Sequence, residues 1–146
     1  RLLGGAGQAA TEFNDLCRGN DDTASGRESW SPLMNTDAET MMHEGCKLAG
    51  ETWELTRKFL NWENEDVSRV FCHQVGQMHR KLLYKTLGLD LEKDFSTLEF
   101  LGNTGAASLP SALALGAEKG CITSGDKVAL LGIGSGLNCL MLGIEW

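Results

Sequence analysis

The clearest pattern of apolar and polar positions lies between residues 37 and 60. Apolar or small side chains recur there at alternating steps of four and three residues. These positions are Met42, Cys46, Ala49, Trp53, Thr56 and Leu60. The spacing places them on one face of an α-helix, with charged residues such as Glu51 and Lys58 mostly elsewhere. Thr36 and Glu39 have the spacing of a capping box. We therefore predict a helix over 37–60 whose apolar face packs into the core.

Shorter helical and strand patterns alternate along the rest of the chain. Helices are predicted over 76–87, ending at Gly88, and over 106–119, ending at Gly120. Strands are predicted over 70–72, 95–100, 128–131 and 137–144. In the helix over 76–87, the side chains predicted to point inward are Met78, Leu82, Leu83 and Leu87. This alternation predicts an α/β fold whose strands are covered on both faces.

Residues 1–35 carry the weakest pattern. Leu2-Leu3 before Gly4-Gly5 is typical of the end of a strand, and the polar stretch 20–29 predicts an exposed loop. The chain thus divides into a poorly defined lead-in strand and loop over 1–35 and a folded domain over 36–146.

Composition excludes several classes of function. The chain has 146 residues, enough for one domain, and its formal net charge of −7 argues against nucleic-acid binding. No apolar run approaches the ~18 residues of a membrane span. The five cysteines are odd in number and form no CxxC pair, which favours a reducing cytoplasm over a disulfide framework or a metal site. The first residues are not typical of a signal peptide, and the missing initial Met favours a piece of a longer chain.

Three glycine-containing loops hold the candidate polar groups. They span 72–76, 102–105 and 132–136, and each follows a predicted strand, where open α/β sheets bind ligands. Taken singly, His73 is interpreted as a structural histidine and Asn103 as a turn residue. The glycines over 132–136 are a weak nucleotide-binding fingerprint, because no helix opens after them. His43 and His79 are also interpreted as structural.

Taken together, the three loops resemble one enzyme family. The segments are Phe71-Cys72-His73-Gln74-Val75-Gly76, Gly102-Asn103-Thr104-Gly105-Ala106-Ala107-Ser108-Leu109-Pro110 and Gly132-Ile133-Gly134-Ser135-Gly136-Leu137-Asn138. They resemble the C-terminal half of β-ketoacyl synthase III type enzymes of the thiolase superfamily, over about three quarters of the chain. His73 and Asn103 lie 30 residues apart, as this resemblance requires. The resemblance implies half of a thiolase-like layered fold, with a mixed sheet covered by helices, and makes 36–146 the C-terminal catalytic domain.

Two departures from the pattern indicate a branch of the superfamily. Val75-Gly76 follow His73-Gln74 where synthases that start fatty-acid chains usually have Ala-Asn, and Gly134-Ser135-Gly136 replaces Gly-Gly-Gly. With Leu137-Asn138-Cys139, these variants are similar to the head-to-head branch, which joins two fatty acyl-CoA chains toward long-chain olefins or ketones. The implied function is an acyltransferase that forms a C–C bond by Claisen condensation and gives a β-keto product.

The resemblance also implies a role for each polar group. His73 and Asn103 would donate N–H groups to the enolate oxygen of the condensation, and the Ser135 backbone N–H would bind the tetrahedral adduct. The Ser135 hydroxyl is not expected to be a nucleophile, because the contiguous Gly-Ser-Gly forms no nucleophile elbow. The glycines that would let substrate approach the main chain are Gly102, Gly134 and Gly136. No cofactor is implied beyond the thioesters of CoA or acyl carrier protein that serve as substrates.

The nucleophile of the family is a cysteine at a helix start in the N-terminal half, and none of the five cysteines here has that context. The N-terminal half of the same fold is therefore an expected partner, and the 146 residues alone are expected to be inactive. The resemblance further implies a homodimer. The acidic net charge favours free acyl-CoA over an acidic carrier protein as substrate.

Three other functions stay open from the sequence. A fatty-acid-initiating 3-oxoacyl-ACP synthase III would use acyl-CoA and malonyl-ACP and release CO₂. A non-catalytic nucleotide-binding module would bind phosphates at residues 132–136 and use neither His73 nor Asn103. A dimerisation half would tolerate changes in all three loops.

Overall fold

The computed structural model describes residues 1–20 and 33–146, which form a four-stranded mixed sheet, a two-stranded ribbon and four α-helices. The strands are β1 (Leu2–Ala9), β2 (Cys17–Asn20), β3 (Leu33–Thr36), β4 (Arg69–Cys72), β5 (Lys127–Gly134) and β6 (Asn138–Glu145). The helices are α1 (Ala38–Leu60), α2 (Gln77–Leu87), α3 (Leu98–Leu101) and α4 (Ser108–Glu118). The predicted α/β class is confirmed.

The sheet has the strand order β1-β6-β5-β4. β4 and β5 are parallel, with Val70 opposite Ala129, whereas β6 is antiparallel to both of its neighbours. A parallel pair needs a long crossover, and here α2, α3 and α4 all lie within it. The antiparallel pair β5–β6 needs only the tight turn over 135–137.

One face of the sheet packs on α1. Cys46, Ala49 and Trp53 of the predicted stripe are buried there, in one cluster with Leu131 and Met141 of the sheet. The side chain of Thr52 donates a hydrogen bond to Gln8 Oε1 at 2.9 Å, which ties the helix to β1. The predicted helix over 37–60 is confirmed.

The start of α1 differs from the prediction. Asp37 is the N-cap, and its carboxylate accepts the Thr40 N–H at 3.1 Å. Thr36 is instead the last residue of β3, and its hydroxyl donates to Cys17 Sγ at 3.6 Å. The predicted capping box at Thr36 and Glu39 is wrong, because pairing with β2 keeps Thr36 extended.

The opposite face of the sheet packs on α4 beside β4 and β5, around Phe71, Ala112 and Val128. Gly116 allows this approach, because a Cβ there would lie 2.5 Å from Cε1 of Phe71. Leu140 of β6 lies on the same face but is 54% exposed. Within the described residues, the prediction that the strands are covered on both faces therefore holds for β4 and β5 but not for β6.

The segment predicted as a strand over 95–100 is irregular over 95–97 and helical over 98–100. It makes one bridge to the sheet, between Asp94 and Val70, and then turns into α3. The Ser96 hydroxyl accepts the Leu98 N–H at 3.3 Å, and such a local bond competes with strand pairing. This part of the prediction is wrong.

Three further differences concern weak patterns. Leu2-Leu3 does not end a strand but begins the eight-residue β1, whose glycine-rich sequence is held extended by β6. Met78 of α2 is 73% exposed rather than buried, whereas Leu83 and Leu87 are buried as predicted. The loop predicted over 20–29 lies outside the described residues, apart from Asn20. None of the helices described is long and apolar enough to cross a membrane.

The contact between α4 and β4 makes a stability prediction. Gly116→Ala places a methyl group against the buried ring of Phe71, and we expect it to lower the free energy of unfolding by about 1–3 kcal/mol. Gly50→Ala in α1 is the matched control, because its new methyl group would meet only the end of the Thr86 side chain at 3.2 Å. That change should be neutral or stabilising by up to about 1 kcal/mol. Urea unfolding measures the free energy of unfolding of both variants. Equal changes in the two would contradict a tight contact between Gly116 and Phe71.

Candidate active site

The parallel pairing of β4 and β5 assembles the candidate site. Since the carboxyl ends of parallel strands meet at one edge of a sheet, the residues that follow β4 and β5 are neighbours. His73 directly follows β4, and its backbone N–H donates to the backbone O of Leu131 in β5 at 2.9 Å. Ser135 directly follows β5. Two of the three predicted loops therefore meet for a topological reason.

A cavity of about 650 Å³ opens at this edge. His73, Asn103 and Ser135, the three predicted catalytic residues, all line it. Most of the remaining wall is apolar and includes Met41, Met42, Ile133 and Leu137. The structure thus brings the three predicted polar groups to one apolar chamber.

The amide of Asn103 has a defined orientation. Its Oδ1 accepts the N–H of Gly105 at 2.9 Å in a tight Asx turn. A backbone N–H can bond only to the oxygen of the amide, so the Nδ2 group is left as the hydrogen-bond donor of the side chain. The turn that makes Asn103 a structural residue therefore also orients its side chain so that Nδ2 can donate.

Ser108 holds the Asn103 loop in place, which the sequence analysis did not detect. Its hydroxyl is buried and lies 3.1 Å from both the N and the Oγ1 of Thr104. It links the loop to the first turn of α4. The Thr-x-x-x-Ser spacing over 104–108 is the sequence signal that could have identified this role. The loop itself follows α3, not the strand predicted before it.

Two imidazoles face the cavity. His73 is half-buried, and burial lowers its pKa, which the nearby backbone of Gly105 offsets only in part. His79, on the first turn of α2, is buried, and burial followed by the proximity of His73 lowers its pKa as well. Both rings are therefore neutral at pH 7. His79 lines the cavity, and its interpretation as a structural residue stays a prediction, whereas His43 is exposed.

The predicted glycine loop over 132–136 is largely a strand. Gly132–Gly134 are the last residues of β5, and only residues 135–137 form the turn to β6. Asn138 closes this turn by donating from Nδ2 to Ser135 O at 3.1 Å. Gly134 lines the cavity, while Gly102 and Gly136 adopt positive φ values of 66° and 74° and are not part of its wall. Substrate binding by these three glycines stays a prediction.

The cysteines are all free thiols, and three of them are buried. Burial raises the pKa of Cys46 and of Cys139 to about 11, and it raises that of Cys72 as well. These three are therefore protonated and inert at neutral pH. Cys17 lines the cavity but lies at the start of β2, not at a helix N-terminus. Within residues 1–20 and 33–146, no group of three or more His, Cys, Asp and Glu side chains is placed to hold a metal ion.

Comparison with known proteins adds the family context. Residues 58–146 match the family described as 3-oxoacyl-[acyl-carrier-protein (ACP)] synthase III C terminal. The chain is 42% identical over all 146 residues to an acyl-CoA:acyl-CoA alkyltransferase of Shewanella oneidensis, and covers 42% of that protein. It is 38% identical over 114 residues to a β-ketoacyl-[acyl-carrier-protein] synthase III of Clostridium tetani, which is 78% of this chain and 34% of that protein.

The fold also matches solved structures. A cysteine-to-serine variant of Xanthomonas campestris OleA with bound lauric acid and lauroyl-CoA is 39% identical, with a TM-score of 0.87. The match covers 100% of this chain and 40% of that one. The chain thus spans about two fifths of the length of such relatives.

The lowered pKa values of the two histidines predict how stability depends on pH. In the unfolded chain both rings take up protons near the ordinary pKa of 6.5, whereas the folded protein keeps them neutral to lower pH. The unfolded state then binds more protons below pH 6.5, so this contribution to stability is complete above that pH and is lost as pH falls. NMR titration of the two rings should give pKa values below 6.5.

Urea unfolding at pH 7.5 and 5.5 should show a smaller pH effect in the double variant His73→Asn, His79→Asn. A ring that titrates at or above pH 6.5 would contradict the burial argument.

Proposed function

The chain belongs to the 3-oxoacyl-[acyl-carrier-protein] synthase III C-terminal family, and from this premise we propose that it is half of the active site of an acyltransferase that joins two fatty acyl-CoA molecules head to head. The observation that carries the proposal is the convergence of His73 and Asn103 on one apolar cavity, with the amide of Asn103 turned to donate.

The two donors suit the first charged species of a Claisen condensation. When a base takes the proton from the α-carbon of an acyl-CoA, negative charge develops on the carbonyl oxygen of the thioester. Two neutral N–H donors stabilise that oxygen without losing a proton themselves. Asn103 cannot titrate, and the lowered pKa of His73 keeps its ring neutral at pH 7. The pair therefore keeps the same charge across the physiological pH range.

The second charged species is the tetrahedral adduct. The carbanion attacks the carbonyl carbon of an acyl group held as a thioester on the enzyme, so a C–C bond forms. The adduct then collapses, the C–S bond breaks, and the thiolate leaves with the electron pair. We assign the Ser135 backbone N–H to the adduct oxygen, since Ser135 is exposed and lines the cavity at the first position of a tight turn.

We place the acylated cysteine in the part of the protein outside this chain. The buried thiols of Cys46, Cys72 and Cys139 are protonated, and this chain spans about two fifths of its relatives. The apolar wall of the cavity, with Met41, Met42 and Ile133, suits a hydrocarbon chain. The homodimer implied by the family resemblance is part of the same proposal.

A product assay tests the reaction type. The complete protein that contains this chain is incubated with a long-chain acyl-CoA as sole substrate. We expect release of CoA and a β-keto product by mass spectrometry, with no CO₂, because no carboxylated donor is consumed. A strict requirement for malonyl-ACP with release of CO₂ would instead identify an initiating synthase. Absence of any condensation product with either donor would overturn the proposal.

Substitution of Asn103 tests the role of the donor. Asn103→Ala should lower the condensation rate by about 10²–10³, the effect of removing one such donor. Asn103→Asp is the sharper variant, because its carboxylate can still accept the Gly105 N–H but cannot donate. It should be at least as impaired as Asn103→Ala. Normal activity of Asn103→Asp would show that only the turn matters, and Asn35→Ala on β3 serves as an exposed control.

A further inference from the structure

A buried carboxylate contacts Cys72, the residue that precedes His73. The side chain of Asp94 is 0% exposed, although it carries no role in the proposed chemistry. It belongs to the short bridge that joins the segment before α3 to β4, where Phe95 N donates to Val70 O at 3.2 Å. Burying a carboxylate is costly unless it is paired, so its partners carry information about its purpose.

The first partner lies just before His73. The thiol of Cys72 donates to Asp94 Oδ1 at 3.7 Å. Gln74, just after His73, donates from Nε2 to Cys72 O at 2.9 Å and accepts from Ser96 Oγ at 3.1 Å. The main chain on either side of His73 is therefore bonded in place, and Gln74 is buried.

The other partners lie on α2, beyond His73. Arg80 forms an ion pair with Asp94 through Nε and Oδ2, and its own side chain is only 19% exposed. The Tyr84 hydroxyl, one turn further on the same face of the helix, donates to Asp94 Oδ1 at 2.7 Å. One carboxylate thus holds both the end of β4 and the beginning of α2.

These contacts close a short strap. The strap is the segment 73–79, which runs from the end of β4 into the first turn of α2 and carries both His73 and His79. Val75 and Met78 on the strap are exposed, so apolar burial does little to fix it. Polar contacts hold it instead: His73 and Gln74 within the strap are hydrogen-bonded, and the residues at its two ends, Cys72 and Arg80, both contact Asp94.

Apolar packing alone would stabilise such a junction as well as a buried ion pair does. What the charged group adds is direction, because a carboxylate accepts from Arg80 and Tyr84 only along its lone pairs. A shift of 1 Å in a group that contacts the reacting atoms can cost about 10²-fold in rate. A polar anchor behind the strap is therefore suited to fix the ring of His73.

We propose that Asp94 is a positioning residue that sets the place of His73 for the condensation step. The inference rests on the proposed function and deepens it. It separates the two half-reactions, because His73 is assigned to the enolate while the Ser135 turn, which Asp94 does not contact, is assigned to the acyl adduct. Loss of the anchor should slow condensation and leave acylation of the enzyme intact.

The test measures both steps in the complete protein. Acylation by a long-chain acyl-CoA is followed by intact-protein mass spectrometry, and condensation is followed as a single turnover of the acylated enzyme with a second acyl-CoA. Arg80 and Tyr84 donate to different oxygens of Asp94, and in Asp94→Asn an NH2 group, which only donates, replaces one of them, so one of the two contacts is lost. We expect its condensation rate to fall between about 10- and 100-fold, with acylation within about twofold of the unchanged protein.

Two further variants keep the test decisive. Tyr84→Phe removes one hydrogen bond and leaves the Arg80–Asp94 pair in place, so it replaces Asp94→Asn if that variant does not fold. It should slow condensation about fivefold, less than Asp94→Asn, because the Arg80–Asp94 ion pair remains. Asp90→Asn is the matched control, since Asp90 is exposed and caps only a short turn through the Glu92 N–H. It should leave both steps unchanged.

The outcomes separate the two proposals. Equal slowing of acylation and condensation, or no slowing of condensation in either folded variant, overturns the role of Asp94 and leaves the proposed function standing. No condensation product from the unchanged protein overturns the proposed function, and the role of Asp94 with it. Selective slowing of condensation supports both.

Discussion

The parallel pairing of β4 with β5 is the constraint on which the site depends. It sends both carboxyl ends to one edge of the sheet, so His73 and Ser135 become neighbours although 62 residues separate them in the sequence. The same pairing requires a long crossover, and that crossover carries Asn103 back to the edge. An antiparallel pair would need no crossover and would place the two strand ends at opposite edges.

The groups around the cavity share one electrostatic property, which is neutrality. Burial lowers the pKa of both histidines, so both rings are uncharged at pH 7. The amide of Asn103 has no charge to lose. Among the described residues that line the cavity there is no Asp, Glu, Lys or Arg, and the Arg80–Asp94 ion pair lies outside its wall. Such a site can accept a developing negative charge without a competing anion in its wall.

Local patterns predicted the elements whose stability is local. The apolar stripe of α1 follows the helical period within the segment itself, so it predicts a helix without reference to the rest of the fold. Gly88 ends α2 with a φ of 66°, as its position in the sequence predicts. The predictions that failed concern segments whose conformation a neighbour decides. β1 is extended because β6 pairs with it, and Thr36 is extended because Cys17 does. The periodicity of a single sequence does not show which strand will pair with a segment.

The sequence by itself determined the α/β class, the three site segments and the chemical types of His73, Asn103 and Ser135, because residue identity and short spacing are properties of the chain. Only the tertiary structure decided that these segments share one cavity, that His79 faces it, and that Asp94 contacts Cys72 next to His73. Those relations join residues far apart in the chain. They arise from strand pairing and burial, which exist only once the whole sheet has formed.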